Sequence, residues 1–125
     1  MSAPLSAETR ERLLTVHRRL LHLHKALLDE ERADFEGLYG STTPLQMLQL
    51  ALTDPHFAWL KAYSNRILEI DEITEDKAAL EAQGKVVLAA LSEQLAVEPR
   101  LPQMITRSQP VFDAYASLVP LLPKP

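Results

Sequence analysis

SAETRERLLTVHRRLLHLHKALLDEERADFEGLYG, residues 6–40, decides the fold. Ser6 is a helix N-cap residue, and Glu8 suits the positive end of a helix dipole in the first turn. Leu13, Leu20 and Leu27 form one row at seven-residue spacing, and Leu14, Leu21, Leu28 and Phe35 form a second beside it. Seven residues is nearly two helical turns, so each row stays on one face. Two adjacent rows make an apolar stripe wide enough for a core-facing helix. Gly40 ends it, because glycine adopts the backbone geometry of a helix C-terminus at low cost. The result is a helix of about 32 residues and roughly 48 Å, long enough for the rest of the chain to pack around.

Polar residues interrupt this stripe. His17, His24 and Glu31 recur at the same spacing, with Leu38 beyond them. They are expected to point toward the core with Leu14, Leu21 and Leu28, leaving Val16, Leu23 and Ala26 off the main stripe. Buried ionisable groups need partners.

Further start signals divide the remaining chain. Thr43-Pro44-Leu45-Gln46 combines a cap, a proline suited to the first turn and a capping-box glutamine, which predicts a helix over about 44–52. Asp54-Pro55 turns a corner into a helix over about 55–72, with Phe57, Leu60, Ser64, Ile67 and Asp71 on one face and Trp59 at a seam. Thr74 is expected to cap a fourth helix running to Leu95 or Ala96, with a stripe of Leu80, Gly84, Val87 and Leu91. Gly84 on that stripe predicts the close approach of another helix or a large ring. Residues 97–102 read as a linker, 103–108 as one or two helical turns, and 110–119 as a short amphipathic helix. The expected fold class is therefore all-α: one bundle-like domain over 1–125, with flexible tails at 1–6 and 120–125. It has a long first helix, a short second, two further long ones and a short C-terminal one.

Composition narrows the function. The 125 residues carry a formal net charge of -4 and contain no cysteine, which excludes disulfides, thiolate metal sites and cysteine nucleophiles. An acidic chain is a poor match for nucleic-acid phosphates. No run of apolar residues is long enough to span a bilayer, and no signal-peptide pattern opens the chain. The expected compartment is the cytoplasm. Charge is segregated: Arg10, Arg12, Arg18, Arg19 and Lys25 outnumber Glu8 and Glu11, whereas Asp29, Glu30, Glu31, Asp34 and Glu36 outnumber Arg32. The basic half offers a face to an acidic partner, and the bland explanation of it is a solvated face.

Site chemistry is sparse. Neither the Glu-x-x-His pairs of di-iron bundles nor the His-Glu-x-x-His of zinc proteases is present. His22 and His24 project about 200° apart on a helix, and His17, His24 and Glu31 lie about 10.5 Å apart along its axis, so no pair of them chelates one ion. A metal site would need one of these three together with Asp71, Glu69, Asp54 or His56 from other helices. With three glycines there is no phosphate-cradling loop. His56, at a helix start, reads as an exposed residue of a capped turn. No catalytic residue, metal ligand or cofactor is assigned. Ser64 and Asp71 form a second polar thread at the seven-residue spacing of the first. Two such threads facing each other would make a hydrogen-bond network that sets helix register, and His17 is its outermost member.

Leu23-His24-Lys25-Ala26-Leu27-Leu28, Glu31-Arg32, Phe35-Glu36, Gly40, Asp54-Pro55, Phe57-Ala58-Trp59-Leu60, Ser64 and Ile70-Asp71-Glu72 together resemble a group of small, uncharacterised bacterial all-helical proteins. The resemblance covers roughly residues 13–72 and implies a helical fold and a bacterial cytosolic origin. It carries over no activity and no catalytic residue. The histidine patterns of hemerythrin-like and damage-inducible metal bundles are missing. The expected function is a non-enzymatic module that self-associates, as a homodimer, or docks a protein partner. The alternative is a bundle that binds a small molecule or metal through His24, Glu31 and Asp71.

Overall fold

Ser6 starts the first helix as expected: its hydroxyl accepts the Thr9 N–H at 3.1 Å. In the computed structural model, which describes residues 3–125, that helix (α1, Ala7–Tyr39) runs unbroken to Gly40. Gly40 adopts φ 94° and donates its N–H to the Glu36 carbonyl. The positive φ explains the glycine. Below this corner the Glu36 carboxylate accepts both the N–H and the hydroxyl of Thr42, and Arg32 donates to the Thr42 carbonyl at 2.9 Å. Those bonds hold the Glu36 carboxyl below the usual carboxylate range.

The second helix (α2, Pro44–Thr53) begins with the full capping box between Thr43 and Gln46. Asp54 then ends α2, and its side chain accepts the His56 N–H at 2.8 Å. The turn it caps, Pro55–Leu60, is 3-10 rather than α, and α3 follows as Lys61–Glu75. The expected break at Thr74 is absent. Its hydroxyl donates to the Asp71 carbonyl at 2.9 Å and its own carbonyl accepts from Arg10, so both groups work inside the last turn of α3. The chain restarts later, with α4 at Glu81–Val97. There Gln83 accepts the Leu80 N–H at 2.7 Å, and Leu80 stands outside the helix it was expected to join.

Two short helices close the chain, where one was expected with a turn or two before it. They are α5, Leu101–Arg107, and α6, Gln109–Leu118, each with proline in its first turn, followed by a 3-10 turn at Val119–Leu121. Ser108 separates them and caps α6 through the Val111 N–H. The protein is all-α, with six α-helices and no strand among the described residues.

α1 is the axis, packing most extensively against α6 and α3 and less against α4. The face that it buries is a correction to the sequence expectation. Leu13, Val16, Leu20, Leu23 and Leu27 are fully buried, while Leu14 and Leu21 are exposed. Leu28 and Phe35 are half-buried, and Leu38 is open to solvent. The core therefore lies about one residue, or 100°, around the helix from the histidine row. Polarity explains the choice. The 13-16-20-23-27 seam is wholly apolar, whereas the 14-17-21-24-28 seam would have to bury two imidazoles.

Among the described residues, both expected tails bond to the bundle. Of the N-terminal tail, residues 1–2 lie outside the described ones. Leu5 donates to the Ala79 carbonyl at 3.0 Å and Glu81 to that of Ala3 at 2.9 Å. The Glu81 carboxylate accepts the Ser6 N–H and the Thr9 hydroxyl, which holds its carboxyl below the ordinary range. This crossing accounts for Gly84: a Cβ there would stand 2.9 Å from the side chains of Leu5 and Thr9. At the other end Ser92 donates to the Pro123 carbonyl, and Leu121 and Leu122 pack partly on the core.

Candidate functional site

The two polar threads meet, and in antiparallel order. His24 Nε2 lies 2.8 Å from Ser64 Oγ, and His17 Nε2 lies 3.9 Å from Asp71 Oδ1. His24 is thus joined to neither Asp71 nor Glu31, the partners expected of a small-molecule or metal site. The His17–Asp71 contact is at the edge, with about half of the Asp71 side chain exposed. The five residues divide into three separate contacts, and among the described residues no three His, Asp or Glu side chains converge as a metal-holding group.

Burial pushes the His24 imidazole below its ordinary pKa of 6.5. The unfolded chain therefore takes up the proton first as pH falls. The stability contributed by neutral His24 is complete above pH 6.5 and is lost below it. Denaturant midpoints compared at about pH 7.5 and about pH 5.5 are expected to fall less in His24→Gln than in the parent. An equal fall in both chains would contradict this assignment.

Glu31 belongs to a different cluster. Its side chain is almost wholly buried, with Oε2 2.7 Å from His56 Nε2 and Oε1 3.7 Å from an Arg100 guanidinium nitrogen. His56 Nε2 is itself buried and forms no directed hydrogen bond, so the 2.7 Å contact is electrostatic proximity without hydrogen-bond alignment. Beside it, Arg107 reaches Asp34 at 2.6 Å and Glu30 at 3.5 Å, and these contacts raise its pKa. Glu31, Asp34, His56, Arg100 and Arg107 line a cleft of about 300 Å³. Its main effect is to clamp α5 and the corner turn onto the acidic half of α1. Arg100 also lies over the Trp59 ring, 5.5 Å from its centre, and Trp59 meets Tyr63 edge-on. Trp59 does fill a seam, but His56 is not the surface residue its position suggested. Aspartate-proline before it gave only the cap, and nothing local indicated a carboxylate 25 positions upstream.

Two apolar features adjoin the His24–Ser64 contact. One is a groove of about 280 Å³ between α1, α2 and α3, with the nearly buried Phe57 and Leu60 in its lining. The other is the outer face of α2, where Leu45, Leu48 and Leu52 stand at i, i+3 and i+7 with exposures of 64%, 58% and 70%. Leu52 belongs to both. One sequence signal marks this region: residues 37–53 contain no charged side chain, in a chain where 24% of residues are charged. No helix among the described residues is long and apolar enough to cross a membrane. The chain matches no family model, no curated protein and no solved structure.

Proposed function

We propose that this chain is a non-enzymatic, self-associating helical module whose contact surface is the outer face of α2. The carrying observation is the exposed leucine stripe Leu45, Leu48 and Leu52 on a helix without charge. A stripe of this kind gains from burial at roughly 25 cal/mol per Å² of apolar surface removed from water. A second copy is the occupant that fits best. Two α2 helices crossing antiparallel about a two-fold axis would set Leu48 near its own counterpart and Leu45 against the other copy's Leu52. A two-fold contact joins a surface to itself, so an uncharged face can be buried without desolvating unpaired charge. The proposed setting is the cytoplasm, where a chain lacking cysteine has no need of an oxidising compartment.

Light scattering on the eluting protein tests this. The expected mass is twice the 14.0 kDa of one chain, and Leu48→Glu is expected to return it to 14.0 kDa with the helical signal unchanged. A parent chain that stays at 14.0 kDa at about 100 μM, where contacts with a Kd well below that concentration are populated, would defeat the proposal.

A further inference from the structure

We infer that the groove between α1, α2 and α3 binds a small amphiphile, with its carboxylate head at Lys61 and the His24–Ser64 pair and its apolar tail along Leu28, Leu52 and Leu68. Leu28, Ala51, Leu52, Phe57, Leu60 and Leu68 make the lining mainly apolar. The polar groups converge on one helix: Lys61, Ser64 and Asn65 all come from α3, within a turn of one another, and His24 meets them from α1 at 2.8 Å from Ser64. An apolar pocket with a few convergent polar groups is the general form of a small-ligand site. At about 280 Å³ this one lies just below the usual range, which favours a short chain over a large ring system.

The sign of the head follows from the charges. Lys61 is the one charged residue lining the groove, and no acid lines it, although the chain has 17 acidic residues. An ammonium head would meet the lysine and find no carboxylate. A carboxylate would meet the Lys61 cation and hydrogen-bonding groups of Ser64 and Asn65. His24 contributes by polarity rather than charge, because burial favours its neutral form. The groove is formed within one copy, but it shares Leu52 with the proposed self-association face, so the two readings are tested separately.

Octanoate is a suitable probe, with octylammonium as the same tail bearing the opposite head. Chemical shifts followed by NMR are expected to show saturable octanoate binding at His24, Ser64 and Leu68, with Kd below about 1 mM. Octylammonium is expected to bind at least about tenfold more weakly, and Lys61→Gln to narrow that gap (a tenfold gap is one 1.4 kcal/mol step). Repeating the titration on Leu48→Glu separates the two ideas: binding retained in a monomeric variant supports the groove whatever becomes of the dimer. Equal affinity for both heads, indifference to Lys61→Gln, or shifts lying outside the groove would each overturn the inference.

Discussion

Leu20→Ala is expected to destabilise the protein by about 2–5 kcal/mol, and Leu21→Ala, one residue along, by less than about 1 kcal/mol. Leu20 is 0% exposed and sits in the closed seam between α1 and its neighbours, so removing its branched end leaves a cavity that the surrounding helices can only partly close. Leu21 is 43% exposed, and its loss opens space to water. Leu13 and Leu14 offer the same comparison, at 0% and 39%. Urea midpoints with an unchanged slope would give the difference directly. Equal losses at Leu20 and Leu21 would mean that α1 is rotated and that the histidine row faces the core after all.

That comparison isolates the part of the fold the sequence leaves ambiguous. Helix ends governed by local chemistry were legible: Ser6, Gly40 and the Thr43–Gln46 box act where their side chains predict. The rotation of α1 was not. Both leucine rows satisfy the helical period, and the choice between them depends on which neighbours arrive from later in the chain. Thr74 failed for a similar reason. It has the chemistry of a cap, but the Arg10 guanidinium, 64 positions away, meets its carbonyl and the helix continues past it. The one-residue difference between the rows also decides exposure, since Leu14 and Leu21 belong to the row left at the surface.

The candidate site was legible in the same limited way. Equal spacing of His17 with His24, and of Ser64 with Asp71, was enough to bring two threads together. The order of pairing required knowing that α3 runs against α1, which couples His24 to Ser64 and His17 to Asp71. Glu31 shares the spacing but leaves the thread. The 3-10 turn ahead of α3 ends the regular register there and presents His56 instead. The groove and the α2 stripe were invisible to periodicity, because an exposed leucine row and a buried one have the same spacing. Absence of charge over residues 37–53 is the signal that distinguishes this region.

His56→Leu is expected to cost about 3 kcal/mol, a loss comparable to that of a large core truncation. Glu31 is 3% exposed, and its near neighbours with donor nitrogens are His56 at 2.7 Å and Arg100 at 3.7 Å. About half of the Arg100 side chain is exposed, so its attraction to Glu31 is weakened by solvent. Removing the imidazole therefore leaves a buried carboxylate with only the more distant, partly screened guanidinium groups of Arg100 and Arg107, and desolvation is less well offset. Glu31→Met combined with His56→Leu is expected to recover most of the loss, because an apolar pair of similar size needs no such offset. The recovery is the informative result. If His56 mattered only for its packing against Phe57, at 5.2 Å between ring centres, the second substitution would add to the damage instead of reversing it. A single variant within about 0.5 kcal/mol of the parent would show that Arg100 can close on Glu31 unaided.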